Sequence, residues 1–138
     1  MASMVRRQSE KGERTMPLMV CENRNTLTPL IKAALAKKLT DVAQVLFQTP
    51  DDLISVVFHD LPPENTYRSG KPTTETAIIC YIREGRSHGA IEELMKAISA
   101  TWSEITGDSE GHVEIAVQQL PDKFTMRGGG RLPEAARV

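Results

Sequence analysis

Aromatic side chains are scarce: Phe, Trp and Tyr make up 4% of the 138 residues. Rings bury more apolar area than other side chains. A small domain with few of them has a thin supply of core contacts and gains stability by sharing surface with further copies. Charge of either sign is not in excess, since 17 Lys and Arg stand against 18 Asp and Glu for a net charge of −1. A near-neutral chain offers no global field for nucleic acid or an anionic membrane surface, and neither is expected as a partner. No apolar run approaches the roughly 18 residues of a membrane-spanning helix. The two cysteines, Cys21 and Cys80, are too few for a disulfide framework and read as buried thiols. His59, His88 and His112 lack the spacing of a metal-ligand set, so no metal and no cofactor is expected. The opening MASMVRRQSEKGERTM has no apolar core of a secretory signal. Residues 1–15 therefore read as a flexible, solvated extension, and the cytoplasm is the expected compartment.

What the chain does have is a copy of itself. Residues 17–71 can be laid on residues 76–130 at a constant shift of 59 positions, without a gap. Cys21 then falls on Cys80, Arg24 on Arg83, Leu35 on Leu94 and Lys37 on Lys96. Near the ends, Leu61-Pro62 falls on Leu120-Pro121, Thr66 on Thr125, Arg68 on Arg127 and Gly70 on Gly129. Only two copies exist, so the pattern is a duplicated unit and not a solenoid.

Each copy reads as strand, helix, strand and a short hairpin-like tail. In the first, Pro17–Glu22 is a short apolar run, and Thr28-Pro29 is a helix start with proline at the first helical position. Ile31, Leu35, Leu39, Val42 and Leu46 then recur at helical spacing, and Leu53–His59 reads as a strand. In the second, Ala77–Ile82 is the strand and Ser87 the cap. Ile91, Leu94, Met95, Ile98, Trp102 and Ile105 form the stripe, and Gly107-Asp108 breaks the helix. Val113, Ile115 and Val117 alternate with His112, Glu114, Ala116 and Gln118 in the last strand. Strands joined through a helix are parallel with a right-handed crossover. The expected fold class is α+β: a tandem β-α-β duplication whose four-stranded sheet carries both helices on one face. The other face is left to be covered by assembly.

Against that background, several junctions resemble the tautomerase superfamily. Ile82-Arg83-Glu84-Gly85-Arg86-Ser87 is similar to the strand–helix junction of 4-oxalocrotonate tautomerase, and Met126-Arg127-Gly128-Gly129-Gly130 falls where that family has a glycine-bearing hairpin. From Met16-Pro17 through Leu27-Thr28-Pro29 to Arg131-Leu132-Pro133, the chain resembles the fused, double-length group around cis-3-chloroacrylic acid dehalogenase. The resemblance implies one tautomerase-like domain over 16–133, a C-terminal tail over 134–138, and a homotrimer. It also implies a catalytic amino-terminal proline, here Pro17, with Arg83 and Arg86 holding the carboxylate of a small substrate. The chemistry is coherent. A free secondary amine accepts a proton, nearby cations lower its pKa, and guanidinium forks suit carboxylates.

The departures from that group narrow the reaction. Ala43 or Gln44 stands where the dehalogenase-like enzymes have a helix histidine, Ala116 where they have a tyrosine, and Arg127 or a neighbour where they have a glutamate. Without groups to activate water, efficient dehalogenation is not expected. Ser55 and Glu114 occupy the place of a further arginine of the short tautomerases, and Leu27 replaces the second clamp arginine in the first copy. The expected activity is tautomerase-type proton transfer on a small enol or 2-keto acid, with Glu114, Tyr67 or Arg127 as possible auxiliaries. The alternatives are a non-catalytic binding protein of the same fold, a lyase or decarboxylase acting through an iminium, and a weak hydratase.

Overall fold

The computed structural model describes residues 16–130; the extension over 1–15, the closing Arg131-Leu132-Pro133 and the tail over 134–138 lie outside the described residues. Strand β1 (Leu18–Arg24) leads into helix α1 (Pro29–Phe47), then β2 (Ser55–Leu61) and a two-stranded hairpin, β3 (Tyr67–Arg68) with β4 (Lys71–Pro72). The second copy follows with β5 (Thr76–Arg83), helix α2 (His88–Thr106) and β6 (Val113–Leu120). Both ends of α2 lie 59 residues beyond those of α1. Thr28 and Ser87 cap the two helices in the same way, each side-chain oxygen accepting from the backbone N–H three residues on.

The main sheet has the order β2-β1-β5-β6. Within each copy the strands are parallel, as a helical crossover requires. The copies join through an antiparallel pairing of β1 with β5, in which Leu18 lies opposite Tyr81 and Cys21 opposite Ile78. Because β1 and β5 are central and antiparallel, equivalent positions of the two copies end up at opposite ends of the sheet.

Both helices cover one face, as expected. The alternating burial of β1 and β5 shows it: Met19, Cys21, Ile78, Cys80 and Ile82 are fully buried against Leu35, Leu39, Ala43 and Phe47 of α1 and Leu94, Ile98 and Trp102 of α2. The buried row of α1 differs from the stripe read in sequence. It runs Leu35, Leu39, Ala43, Phe47, with Ile31, Val42 and Leu46 only half-buried beside it. The apolar band of α1 is wide enough to allow either row, and the inter-helix contact selects the one carrying the small Ala43. Leu53 belongs to a 3₁₀ turn, Asp51–Leu53, that precedes β2, so that strand starts later than expected.

Among the described residues no helix lies over the opposite sheet face. Residues that pair across strands share a face, so Leu18, Val20, Val57, Ile79, Tyr81 and Ala116 form an apolar field across all four strands. His59 and Glu22 form an ion-pair contact at one end of that field.

Candidate functional site

The sheet topology brings Pro17, Arg83 and Arg86 to one edge. Continuing the antiparallel register past Leu18 and Tyr81 sets Pro17 beside Ile82, next to Arg83 at the end of β5. Pro17 is buried, and its carbonyl accepts from the Ser55 N–H at 3.1 Å, which fixes it to the start of β2. Arg83 pairs in register with Leu120 at the end of β6. The same edge therefore collects the first residues of β1 and β2 and the last residues of β5 and β6.

Both arginines are buried, Arg83 at 1% and Arg86 at 7% exposure. Such cations need anionic or carbonyl partners to offset desolvation. Arg83 Nη2 lies 2.8 Å from Asp122 Oδ1, in the turn just after β6. Asp122 is partly exposed and sits at the first position of a 3₁₀ turn. Arg86 reaches the other way, to the end of α1. Its Nη1 donates to the Phe47 carbonyl at 2.9 Å and its Nη2 to Thr49 Oγ1 at 3.2 Å, while the guanidinium stacks 4.5 Å from the centroid of the Phe47 ring. Phe47 is the last residue of α1, where carbonyls have no intrahelical donor. Arg86 thus ties the strand–helix junction of the second copy to the helix end of the first.

The equivalent junction of the first copy is built differently. Arg24 pairs with Asp108, which also accepts from Trp102 Nε1 at 3.2 Å. Asp108 is the residue equivalent to Thr49, and Leu27 stands where Arg86 would be. A carboxylate in the first-copy site and a hydroxyl in the second fit one arginine there and two here.

Of the expected auxiliaries, Arg127 lies in the exposed tail that leaves the Pro17 edge after β6. Glu114 and Tyr67 do not belong there. Glu114 pairs with Ala77 at the start of β5, and Tyr67 lines a cavity with it. Five residues of extended strand separate Ala77 from Ile82, about 17 Å, so neither side chain can assist Pro17 within one chain. The geometry also brings in residues not singled out from sequence: Asp122, Phe47 and Thr49. They are 39, 39 and 37 positions from their arginines (122 − 83, 86 − 47, 86 − 49), and no local pattern marks them.

The buried cysteines are not part of this edge. Burial pushes both thiols up to about 12, helped by Glu22 beside Cys21 and by Cys21 beside Cys80. They remain protonated and unreactive near neutral pH. Among the described residues no group of His, Cys, Asp and Glu is arranged to hold a metal ion. No helix among them is long and apolar enough to cross a membrane.

A sequence model of the family described as tautomerase enzyme matches residues 23–75. No curated protein matches the chain. Among solved structures, native Ps01740 is similar over 80% of this chain and 100% of its own, with 26% identity and a TM-score of 0.77. N1, a member of the cis-3-chloroacrylic acid dehalogenase family, is 24% identical over 86% of this chain and 85% of its own, with a TM-score of 0.79. The F6 fused 4-OT, an asymmetric trimer, reaches a TM-score of 0.79 at 19% identity, over 84% of this chain and 95% of its own. The β-α-β duplication and its antiparallel junction give this chain the tautomerase fold in the fused, double-length form of these solved structures, and residues 23–75 carry the sequence pattern of the tautomerase family.

Proposed function

We propose that the protein transfers a proton between oxygen and carbon of a small enol or 2-keto carboxylic acid, with the nitrogen of Pro17 as the base. The observation that carries this reading is the convergence of Pro17 and Arg83 at one sheet edge across the β1–β5 register. An α-amine titrates at about 7.7–8.0, and a neighbouring guanidinium disfavours its protonated form. A neutral Pro17 would remove the enol proton and return it to carbon. The substrate carboxylate takes the place of Asp122 on Arg83, and Arg86 completes the clamp from the end of α1, stabilising charge that develops on the enolate. The working assembly is a homotrimer closed over the open sheet face, and the compartment is the cytoplasm.

This chemistry requires a chain that begins at Pro17, because the peptide bond to Met16 turns its nitrogen into an amide with no basic lone pair. The same bond favours a second reading. If residues 1–16 stay in place, the fold serves as a binding protein without proton transfer.

The intact mass of the protein from its native source separates the two. A chain starting at Pro17 should ketonise small enol acids and take up one equivalent of 2-oxo-3-pentynoate at residue 17; a solved neighbour, Pt0534, was inactivated by that reagent. A chain retaining residues 1–16 should be slower by at least about 10²-fold, the lower range of a general-base contribution. A processed chain with neither activity nor adduct would exclude catalysis by Pro17.

A further inference from the structure

Asp122 holds the place on Arg83 that a bound carboxylate would take. The Arg83 side chain is fully buried and that of Asp122 is 37% exposed, so the carboxylate is the partner able to move. Its Oδ1 lies 2.8 Å from Arg83 Nη2, yet no donor is aligned on that oxygen as a hydrogen bond requires. Charge alone holds the pair. A carboxylate free to set both oxygens on a guanidinium fork bonds more strongly than that.

Residue 122 is fixed at its backbone. Its N–H donates to Glu84 Oε1 at 3.4 Å, and its carbonyl accepts from the Thr125 N–H at 3.2 Å and the Thr125 hydroxyl at 3.1 Å. Rotation about χ1 between staggered wells therefore takes the carboxylate off Arg83 without moving the turn. The first copy has the same turn without the acid. Its 3₁₀ turn Pro63–Asn65 lies 59 positions before Asp122–Phe124, and Pro63 stands where Asp122 does. The arginine of that copy, Arg24, pairs with Asp108 instead. The turn thus forms without a carboxylate, and the acid is particular to the Arg83 edge.

We propose that Asp122 is an internal competitor that sets which acids Arg83 accepts. It occupies the guanidinium in the empty site, swings out when a small monocarboxylate binds, and then repels a second negative charge on the ligand. This rests on Arg83 holding the substrate carboxylate and not on the state of the Pro17 nitrogen. Because the backbone of residue 122 stays in place, the displaced carboxylate remains within a side chain's length of the bound acid. Like charges that close disfavour a dicarboxylate. The substrate class is thereby narrowed to small acids with one carboxylate.

The test is an amide NMR titration of the 138-residue chain, whose Pro17 nitrogen is an amide, with sodium butyrate and disodium succinate. Butyrate should give saturable shifts centred on Arg83, Gly85 and Asp122, and should bind more tightly than succinate. Asp122→Asn should tighten butyrate about threefold, the size of a partly exposed ion pair, and succinate by more. Lys123 and Arg127, exposed on the same tail, are unchanged by this substitution. In the wild-type chain, which needs no variant to fold, the side-chain carboxyl carbon resonance of Asp122 should move as butyrate saturates. Three results would each overturn the proposal and leave the Pro17 reading standing: butyrate binding no tighter in an Asp122→Asn protein with wild-type shifts in α1 and α2, an equal gain for the two acids, or an Asp122 carboxyl that does not respond. Failure of either acid to bind either protein would overturn the arginine clamp and the proposal together. A processed chain that transfers no proton, beside an Asp122→Asn chain that binds butyrate more tightly, would exclude the Pro17 base and support the role of Asp122.

Discussion

Arg86 shows how one side chain can satisfy several buried groups at once. Its planar fork satisfies the last carbonyl of α1 and the Thr49 hydroxyl while its face lies on Phe47, a combination the single ammonium of lysine cannot reproduce. Removing it leaves the Phe47 carbonyl with only the 3.2 Å bond from the Thr49 hydroxyl, and that hydroxyl without its own donor. A lost hydrogen bond to a charged group is worth about 1.5–3 kcal/mol. Arg86→Ala should therefore lower the unfolding free energy by about that amount, and Arg86→Lys should recover less than half of it. Urea denaturation of the three proteins checks both outcomes, and equal midpoints for wild type and Arg86→Ala would show that the contact contributes nothing. A stability loss of this size also means that any effect of Arg86→Ala on turnover must be read at a temperature where the variant is folded.

At the scale of the elements, the two copies offer an internal comparison of helix ends. Each helix is followed by a residue in the left-handed region, Gln48 with φ 50° after α1 and Gly107 with φ 80° after α2. That region costs an L side chain roughly 1 kcal/mol and costs glycine little. A Cβ at Gly107 would meet no atom within 4 Å, so the penalty of filling it is purely backbone. Gln48→Gly should stabilise the protein by about 0.5–1 kcal/mol and Gly107→Ala should destabilise it by about 1 kcal/mol, with thermal midpoints moving in opposite directions. Such punctuation was readable in sequence because it is local: Thr28-Pro29, Ser87 and Gly107 mark helix ends wherever they occur, and the duplication fixed the order of elements. The buried row of α1 was not readable, since Val42 and Leu46 compete with Ala43 and Phe47 on apolarity. Ala43 is the equivalent of Trp102, and both lie in the same core; a small residue in one copy offsets a large one in the other, a relation visible only once the helices are packed. The Asp122 and Thr49 partners of the arginines were hidden for the same reason, and so was the distance of Glu114 from Pro17 within one chain, because strand direction between the copies is set by the β1–β5 pairing.

At the scale of the whole molecule, the described residues leave one sheet face without a helical cover. Leu18, Val20, Val57, Ile79, Tyr81 and Ala116 share that face on four adjacent strands, and Val57 is 36% exposed in the single chain. Burial of apolar area contributes about 25 cal/mol per Å², so association through this face would supply stability that the aromatic-poor core does not. Fused 4-OT neighbours form trimers, and a three-fold arrangement would turn three such faces inward around one axis. Ile79 lies on β5, one of the two central strands, with its side chain on this face. Ile79→Lys would place one cation per chain in a shared apolar interior, where burying an unpaired charge costs several kcal/mol. Sedimentation equilibrium should then report a trimer for wild type and a monomer for the variant. The thermal midpoint of wild type should rise with protein concentration, as mass action requires of a linked assembly, and that of the variant should be lower and independent of concentration. Glu92→Lys, on the solvent side of α2 and therefore away from the sheet, should leave the trimer intact. A wild-type protein that sediments as a monomer at every concentration would show that this apolar face is tolerated in water and that closure of the sheet plays no part in the fold.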